Sequence, residues 1–231
     1  MQNPVKGYFP GVVDEGRTMM RKVFRFCFFL VCVSCTGLFS HSNCLAQIVI
    51  NEFLADPARD WDGDGAVSSR DDEWVEIINL GQSAVELAGY RLSDGAGRPV
   101  WRYEFAGVLE PGGVRIVYGS DSSAWEEAND FPVYGLSLNN SGDCVRLCRI
   151  EGVDTSTVDS CSYTEAATRD DRAPGRVSGA PETWIIFDAW NPCPESCIPP
   201  GSGCYPTPGS RNICATATDS RSWSAIKGMY R

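Results

Sequence analysis

The sequence predicts an all-β fold in which two sheets pack as a sandwich, with no long helix after residue 46. Many short segments rich in β-branched and aromatic residues are separated by turn-forming residues at close intervals, as in a β-sandwich. Several segments, such as residues 101–105, alternate in the period of a half-buried strand. No segment keeps a helical period long enough to define a helix with certainty.

The predicted strands follow one another along the chain. The first, residues 48–54, is apolar and β-branched, and the second, residues 74–78, comes after an acidic loop. The others are residues 85–87, 90–92, 101–105, 114–118, 144–150 and 157–163. The last two are expected to form a hairpin around residues 151–154. Residues 120–134 are polar and irregular, with a short helical turn expected near residues 125–128.

Residues 1–46 are expected to be an N-terminal extension and signal peptide. Basic residues at positions 21, 22 and 25 precede an apolar run over residues 26–39, which is short for a membrane span, and Ala46 closes an acceptable cleavage site. The true start is Met19 or Met20 if the polar first residues are not used. A lipid anchor is not expected, because Cys32 fits the required motif poorly. The remainder is predicted to be one sandwich domain, residues 47–212, with a Cys/Pro-rich insertion at 191–210 and a tail at 213–231.

The charge after the signal segment is strongly negative. Of the 30 acidic and 20 basic residues, residues 1–46 hold two and five, which leaves 28 acidic and 15 basic residues and a net charge of −13. Such a surface repels phosphate backbones, so no nucleic-acid partner is expected. The single histidine, His41, lies within the signal segment. The rest of the chain therefore lacks the commonest general base and zinc ligand.

Seven cysteines follow residue 46, and export favours disulfides among them. If the hairpin turn is centred between residues 152 and 153, Cys144 faces Cys161, which makes Cys144–Cys161 the first predicted bridge. Cys148–Cys161 is the second if the register slips, and the alternative is that these are small core residues. Four further cysteines are predicted to staple the Pro-rich insertion in one of three pairings: Cys193, Cys197, Cys204 and Cys214.

An Asp/Gly-rich segment, residues 60–71, has the spacing of an EF-hand calcium loop. It places carboxylates at loop positions 1, 3, 5 and 12 and a glycine at position 6. Position 12 is Asp instead of the usual Glu, and a strand follows in place of a helix. We expect a structural Ca²⁺ site, because clustered carboxylates repel one another without a cation; the alternative is a solvated acidic turn. The predicted ligands are Asp60, Asp62, Asp64, the Ala66 carbonyl, a water held by Ser68, and Asp71.

The order of these segments resembles the lamin tail domain, an immunoglobulin-like β-sandwich found in nuclear lamins and in many secreted bacterial proteins. The segments that carry the resemblance are residues 48–53, 72–79, 85–94, 109–113, 138–163 and the closing Thr-Pro-Gly-x-x-Asn at 207–212. Secreted bacterial members often carry an Asp/Gly-rich loop between their first two strands. The resemblance covers residues 47–212 and implies a non-catalytic extracellular adhesion or interaction module.

The favoured function is accordingly a non-catalytic secreted or cell-surface module, braced by calcium, that binds an extracellular protein or glycan. Its binding patch could be formed by aromatic side chains, although these could equally belong to the core: Trp61, Trp125, Trp184 and Trp190. A scaffold-docking module ranks last, because such modules usually carry two calcium loops with helices, and only one loop is found.

The alternative function is a calcium-dependent extracellular hydrolase of the nuclease or phosphatase type, or its accessory domain. It would need an acid/base pair from Glu52, Glu73 and Glu76, together with arginines that clamp a phosphate. We expect these carboxylates to be exposed or to brace loops instead. A hydrolase should bring three or more of these groups into one cleft.

Overall fold

The computed structural model describes residues 48–95, 99–194 and 196–214. The predicted signal segment, residues 1–46, and residues 215–231 of the predicted tail lie outside the described residues. The described part forms eleven strands and two short helices. The strands are β1 (Ile48–Leu54), β2 (Trp74–Asn79), β3 (Val85–Glu86), β4 (Tyr90–Asp94), β5 (Val100–Glu104), β6 (Val108–Leu109), β7 (Val114–Tyr118), β8 (Gly142–Glu151), β9 (Asp154–Thr164), β10 (Ala173–Val177) and β11 (Ala180–Phe187). The helices are α1 (Gly119–Ala128) and α2 (Glu165–Thr168).

The strands form two main antiparallel sheets, which confirms the predicted all-β, immunoglobulin-like sandwich. The five-stranded sheet has the order β11-β10-β1-β2-β7, and the four-stranded sheet has the order β5-β4-β8-β9. Strands β3 and β6 pair in a small separate sheet. Each predicted strand is present, whereas β6, β10 and β11 were not predicted. Among the described residues, neither helix is long and apolar enough to cross a membrane.

The main hydrophobic core is built from both of the larger sheets. Ile48, Ile50 and Ile77 of the five-stranded sheet and Leu92 and Leu147 of the four-stranded sheet belong to one buried cluster. Each is at most 2% exposed. Burying such a side chain contributes roughly 1.5–3 kcal/mol, so this alternating set of apolar residues specifies which face of each strand turns inward.

A β-bulge halfway along β1 changes which residues of the strand face the core. The register passes from Ile50 opposite Ile77 to Glu52 opposite Glu76, so Asn51 is the extra residue. Beyond the bulge, Phe53 joins the main core, whereas Glu52 turns to the other side of the sheet. The bulge therefore places a carboxylate on the outer face of a central strand.

The outer face of the five-stranded sheet is covered by residues 191–214, the disulfide-stapled segment. Leu54, Trp74 and Phe187 form a second buried cluster, against which Cys204 and Cys214 pack. The structure contains the disulfides Cys193–Cys197 and Cys204–Cys214, which resolves the three pairings left open by the sequence. Strands β1 and β2 are consequently buried on both faces.

The hairpin of β8 and β9 corrects the predicted Cys144–Cys161 and Cys148–Cys161 bridges, because all three thiols are free. Near the turn the register is the predicted one, with Cys148 opposite Thr157. A register shift then falls between Leu147 and Cys148, and beyond it Cys161 lies opposite Val145. Side chains of adjacent residues on a strand point to opposite faces, so this one-residue shift separates Cys144 from Cys161.

Candidate metal centre

The loop between β1 and β2 wraps its polar backbone around aspartate side chains. Both carboxylate oxygens of Asp60 accept backbone N–H bonds, from Gly63 at 2.8 Å and from Gly65 at 2.9 Å. Gly63 and Gly65 have φ angles of 81° and 93°, a region that favours glycine. Asp62 Oδ1 accepts the N–H of Asp64 at 3.1 Å. These Asx-type turns fix the aspartate side chains inside the loop.

The buried side chain of Asp72 accepts hydrogen bonds from both ends of the same loop. This side chain is 1% exposed and accepts three backbone N–H groups. Oδ1 accepts from Trp61 at 2.5 Å and from Asp62 at 3.0 Å, and Oδ2 accepts from Ser68 at 2.7 Å. Asp72 was not among the ligands predicted from the sequence, because the twelve-residue template ends one residue earlier.

Three carboxylates converge in this loop. One oxygen from each of Asp60, Asp62 and Asp72 lies within 4.8 Å of the other two. Two oxygens that bind the same calcium ion at 2.3–2.6 Å can be up to about 5 Å apart, so this spacing fits the ion. No ion pair among the described residues involves these three aspartates. The donor set is therefore a hard, anionic oxygen cluster that a divalent cation would neutralise.

The other predicted ligands lie in the same loop but outside this trio. Asp64 is exposed, and its Oδ1 accepts the N–H of Ala66 at 2.7 Å. Asp71 and Ser68 bind each other, since Ser68 Oγ donates to Asp71 Oδ2 at 2.9 Å and accepts the Asp71 N–H at 3.1 Å. Their assignment as ligands, and that of the Ala66 carbonyl, stays a prediction.

The exit of the loop is fixed against the start of α1. The Gly119 N–H donates to the Glu73 carbonyl at 2.8 Å, and the Ser120 N–H donates to the Asp71 carbonyl at 3.2 Å. A Cβ atom at Gly119 would collide with the Arg70 carbonyl, so glycine is required there. Glu73 is buried, and desolvation raises the pKa of its carboxyl to about 8, although it accepts the Leu138 N–H at 3.1 Å.

The entrance of the loop is fixed by Asp171, a residue with φ 57° that is 4% exposed. Its Oδ1 accepts the backbone N–H of Ala58 and the indole N–H of Trp61, each at 2.9 Å. Its Oδ2 pairs with Arg59 Nε at 2.9 Å. Asp171 therefore holds the chain on both sides of Arg59, immediately before the first predicted calcium ligand.

The candidate acid/base carboxylates Glu52 of β1 and Glu76 of β2 brace residues 207–212, the closing segment. Thr207 Oγ1 donates to Glu52 Oε2 at 2.7 Å, and the Gly209 N–H donates to Glu76 Oε2 at 2.6 Å. Asn51 connects the two strands to this segment, because its Nδ2 donates both to Glu76 and to Asn212 Oδ1. Burial raises the pKa of Glu52 well above its usual value and that of Glu76 to about 7.

A cleft of about 430 Å³ opens beside this closing segment, lined by residues that include Asn79, Gly112, Arg176 and Arg211. Arg176 is committed to structure, since its Nη2 donates to both oxygens of Asp159, at 2.9 and 2.7 Å. The lining of this cleft includes neither the Asp loop nor Glu52, Glu73 and Glu76. The cleft and the candidate metal centre are therefore lined by different residues.

Comparison with known proteins identifies the family. No curated protein matches the chain. A model of the Lamin Tail Domain family matches residues 42–165, a span of more than half of the chain that runs from β1 to the end of β9 and contains the Asp loop. The match leaves out β10, β11 and the disulfide-stapled segment. The chain belongs to the Lamin Tail Domain family, whose β-sandwich domain is typically non-catalytic.

Proposed function

We propose that the protein is a non-catalytic extracellular module, secreted or held at the cell surface, that is braced by Ca²⁺ and binds a protein or glycan. The observation that carries the proposal is the convergence of the carboxylates of Asp60, Asp62 and Asp72 within 4.8 Å. Carboxylates brought so close repel one another, and a divalent cation removes that repulsion. The family is typically non-catalytic, which supports a binding role instead of a catalytic one.

The calcium role is structural. Asp60, Asp62 and Asp72 would hold the ion, with further oxygens from Asp64, the Ala66 carbonyl, a Ser68-held water or Asp71. The ion supplies positive charge to a loop whose entrance is held by Asp171 and whose exit is held against α1. Calcium therefore connects two anchored ends and makes the whole connection from β1 to β2 rigid.

The extracellular setting is supported by the two disulfides. Such bonds persist in oxidising compartments and are rare in reducing ones. They are Cys193–Cys197 and Cys204–Cys214, and both hold the segment that covers the outer face of the five-stranded sheet. The apolar run at residues 26–39 supports export in the same sense.

The competing hydrolase is less well supported by the geometry. Glu52 and Glu76 accept hydrogen bonds from the closing segment, and Glu73 accepts one from Leu138. Two of the arginines that could clamp a phosphate are paired with carboxylates, Arg91 with Glu104 and Arg102 with Asp94 and Glu126. These groups hold the fold together and do not meet in the cleft beside the closing segment.

Thermal unfolding tests the calcium brace. We expect the midpoint to rise in calcium relative to EDTA, because a ligand present at 100 times its Kd stabilises the folded state by about 2.7 kcal/mol. The double variant Asp60→Asn/Asp62→Asn should lose this rise. Asp154→Asn, which changes an exposed carboxylate in the β8–β9 hairpin, is the matched control and should keep it. An unchanged midpoint in the wild-type chain at millimolar calcium would contradict the proposal.

A further inference from the structure

Three side chains far apart in the sequence form an exposed aromatic patch, which we call the Trp190 patch: Arg59, Trp190 and Tyr205. The ring centroids of Trp190 and Tyr205 are 4.7 Å apart, with the ring planes at 62°. The Arg59 guanidinium carbon lies 3.9 Å from the centroid of the Trp190 ring. Trp190 is 47% exposed and Tyr205 is 56% exposed. Tyr and Trp are enriched at binding interfaces, because their rings combine a large apolar area with a polar group.

The backbone beneath the patch is held in place. The Ala189 N–H donates to the Cys204 carbonyl at 2.9 Å, which fixes the residue before Trp190 beside the residue before Tyr205. Asp188, 2% exposed, accepts N–H groups from Cys193 at 2.6 Å and Gly203 at 2.8 Å. The two disulfides close the same segment. A surface that is ordered before binding loses less conformational entropy when a ligand arrives.

The patch is also tied to the Asp loop. Arg59 directly precedes Asp60, and its Nε pairs with the buried carboxylate of Asp171 at 2.9 Å. Asp171 holds Ala58 and Trp61 as well. The rigid entrance of the loop therefore sets the position of the Arg59 guanidinium over Trp190. Asp171 pairs with Nε, and no hydrogen bond or ion pair within the described part of the chain uses the terminal N–H groups of Arg59, which can therefore donate to a ligand.

The size of the patch favours a small ligand group over a protein surface. A large aromatic side chain buries about 150–250 Å² when fully covered, and these two are roughly half exposed. Their combined area of about 200 Å² is well below the ~800 Å² that each partner contributes to a stable protein interface. A single sugar ring, with an apolar C–H face and hydroxyl groups at its edge, matches both the rings and the hydrogen-bonding groups of Arg59.

The charge of the molecule narrows the class of sugar. The chain after residue 46 carries a net charge of −13, and the Arg59 charge is paired with Asp171. A sulfated or carboxylated glycan would approach against this field. We propose that the Trp190 patch binds neutral sugar residues of an extracellular glycan, which names the partner class for the binding role proposed above and rests on that proposal.

Affinity electrophoresis of the full chain tests this inference, with gels that contain one of a panel of neutral polysaccharides: cellulose derivative, β-1,3-glucan, starch, mannan, xylan or glycol chitin. We expect at least one polysaccharide to retard the wild-type chain. Trp190→Ala and Tyr205→Ala should each weaken this binding about tenfold or more. Tyr134→Ala is the matched control, because Tyr134 is 50% exposed and lies outside the patch.

The outcomes separate the two proposals. Failure of every polysaccharide in the panel to retard the wild-type chain, or equal retardation of the wild-type chain and Trp190→Ala, would overturn the glycan assignment. Binding to a glycan-rich surface that survives enzymatic removal of its glycans would show a protein partner and overturn it too. The rise of the unfolding midpoint in calcium should be the same in Trp190→Ala as in the wild-type chain, so failure of the calcium brace is detected independently.

Discussion

Single residues decide how the Asp loop holds its shape, and Asp72 has the most connected carboxylate in it. Three backbone N–H groups donate to the Asp72 carboxylate, whereas among the described residues the carboxylate of Asp71, its neighbour, accepts one hydrogen bond, from Ser68 Oγ. The sequence template assigns the last ligand position to Asp71, but the converging trio contains Asp72. The two residues therefore give a direct comparison between the spacing of the sequence and the geometry of the fold.

Replacing Asp72 is expected to cost stability and calcium response together. Asp72→Asn removes one acceptor and the negative charge from a buried site, which should lower the free energy of unfolding by about 1–3 kcal/mol. It should also abolish most of the calcium-dependent rise of the unfolding midpoint. Asp71→Asn should leave the loop folded and keep most of that rise. Denaturant unfolding with and without calcium measures both quantities, and a larger calcium effect of Asp71→Asn would contradict the assignment.

Gly112 shows how one residue admits a neighbouring side chain. Its φ is 69°, and a Cβ atom there would collide with the Arg211 guanidinium, whose Nε donates to the Gly112 carbonyl at 2.8 Å. Gly107, with φ 77° and no atom near its Cβ position, isolates the backbone cost alone. Gly107→Ala should lower the free energy of unfolding by about 1–2 kcal/mol. Gly112→Ala should lower it by about 0.5–1.5 kcal/mol more, because the Arg211 hydrogen bond is lost as well. If denaturant unfolding shows that Gly107→Ala and Gly112→Ala lose the same free energy of unfolding, the Arg211 side chain moves aside without a cost in stability.

The free thiol of Cys161 should react slowly while the chain is folded. Burial raises the pKa of Cys161 to about 12, and only the thiolate reacts with an alkylating agent. At pH 8 we therefore expect Cys161 to be alkylated much more slowly in the folded chain than in the denatured chain. Peptide mapping after denaturing, non-reducing alkylation should show Cys144, Cys148 and Cys161 modified. A Cys144–Cys161 linked peptide in the freshly purified chain would contradict the structure.

Among the elements, β2 has one buried carboxyl directly before it, that of Glu73, and one within it, that of Glu76, and both should make stability depend on pH. Burial raises the folded-state pKa of Glu73 to about 8 and of Glu76 to about 7, above the ordinary value of 4.5. At a pH between 4.5 and these raised pKa values, the folded chain binds more protons than the unfolded chain. Stability from these groups is therefore fully present below about pH 4.5 and is lost as the pH rises through about 7 and then about 8.

Denaturant unfolding over a series of pH values tests this linkage. We expect the free energy of unfolding to fall between about pH 5 and pH 8, and Glu76→Gln to make the fall shallower between pH 5 and pH 7. The variant loses one acceptor and should be less stable at each pH, so the slope is the informative quantity. Glu110→Gln, at an exposed carboxyl, is the control and should keep the wild-type slope. Equal slopes for Glu76→Gln and the wild-type chain would contradict the role of Glu76.

Some strands of the two sheets can be predicted from the sequence, and others cannot. Strands whose apolar residues alternate or run together, such as β1, β7 and β8, are predictable because burial of one face requires the pattern. Strands β10 and β11 were not predicted, because they contain Pro174, Gly175 and Pro181, and such residues usually indicate turns. β10 takes its place in the sheet by pairing with β1, and β11 by pairing with β10, and no local sequence pattern encodes either pairing.

Strand register is a second feature that could not be predicted from the sequence. The bulge in β1 at Asn51 and the shift in β9 between Thr157 and Asp159 each move later side chains to the opposite face. The first shift brings Glu52 beneath Thr207, and the second separates Cys144 from Cys161. A strand sequence alone does not reveal an extra residue, so both consequences needed three-dimensional pairing.

At the scale of the whole molecule, the sandwich has a third, partial layer on one side. The disulfide-stapled segment covers the outer face of the five-stranded sheet, and the Trp190 patch lies on that segment and next to the Asp loop. Of the four tryptophans that could form a binding patch, only Trp190 is among the exposed large residues. The sequence identified the candidates, but packing decided between core and surface. Arg59 and Tyr205 were not identified from the sequence, because no sequence pattern relates residues so far apart in the chain.

Calcium titration by isothermal calorimetry, on the wild-type chain and on Asp60→Asn/Asp62→Asn, is the most direct measurement of the central claim that this sandwich is braced by a metal ion. We expect saturable binding of about one calcium ion per chain with a Kd at or below the millimolar range, and no such binding in the double variant. Absence of saturable binding to the wild-type chain at millimolar calcium, or identical binding to the variant, would contradict it.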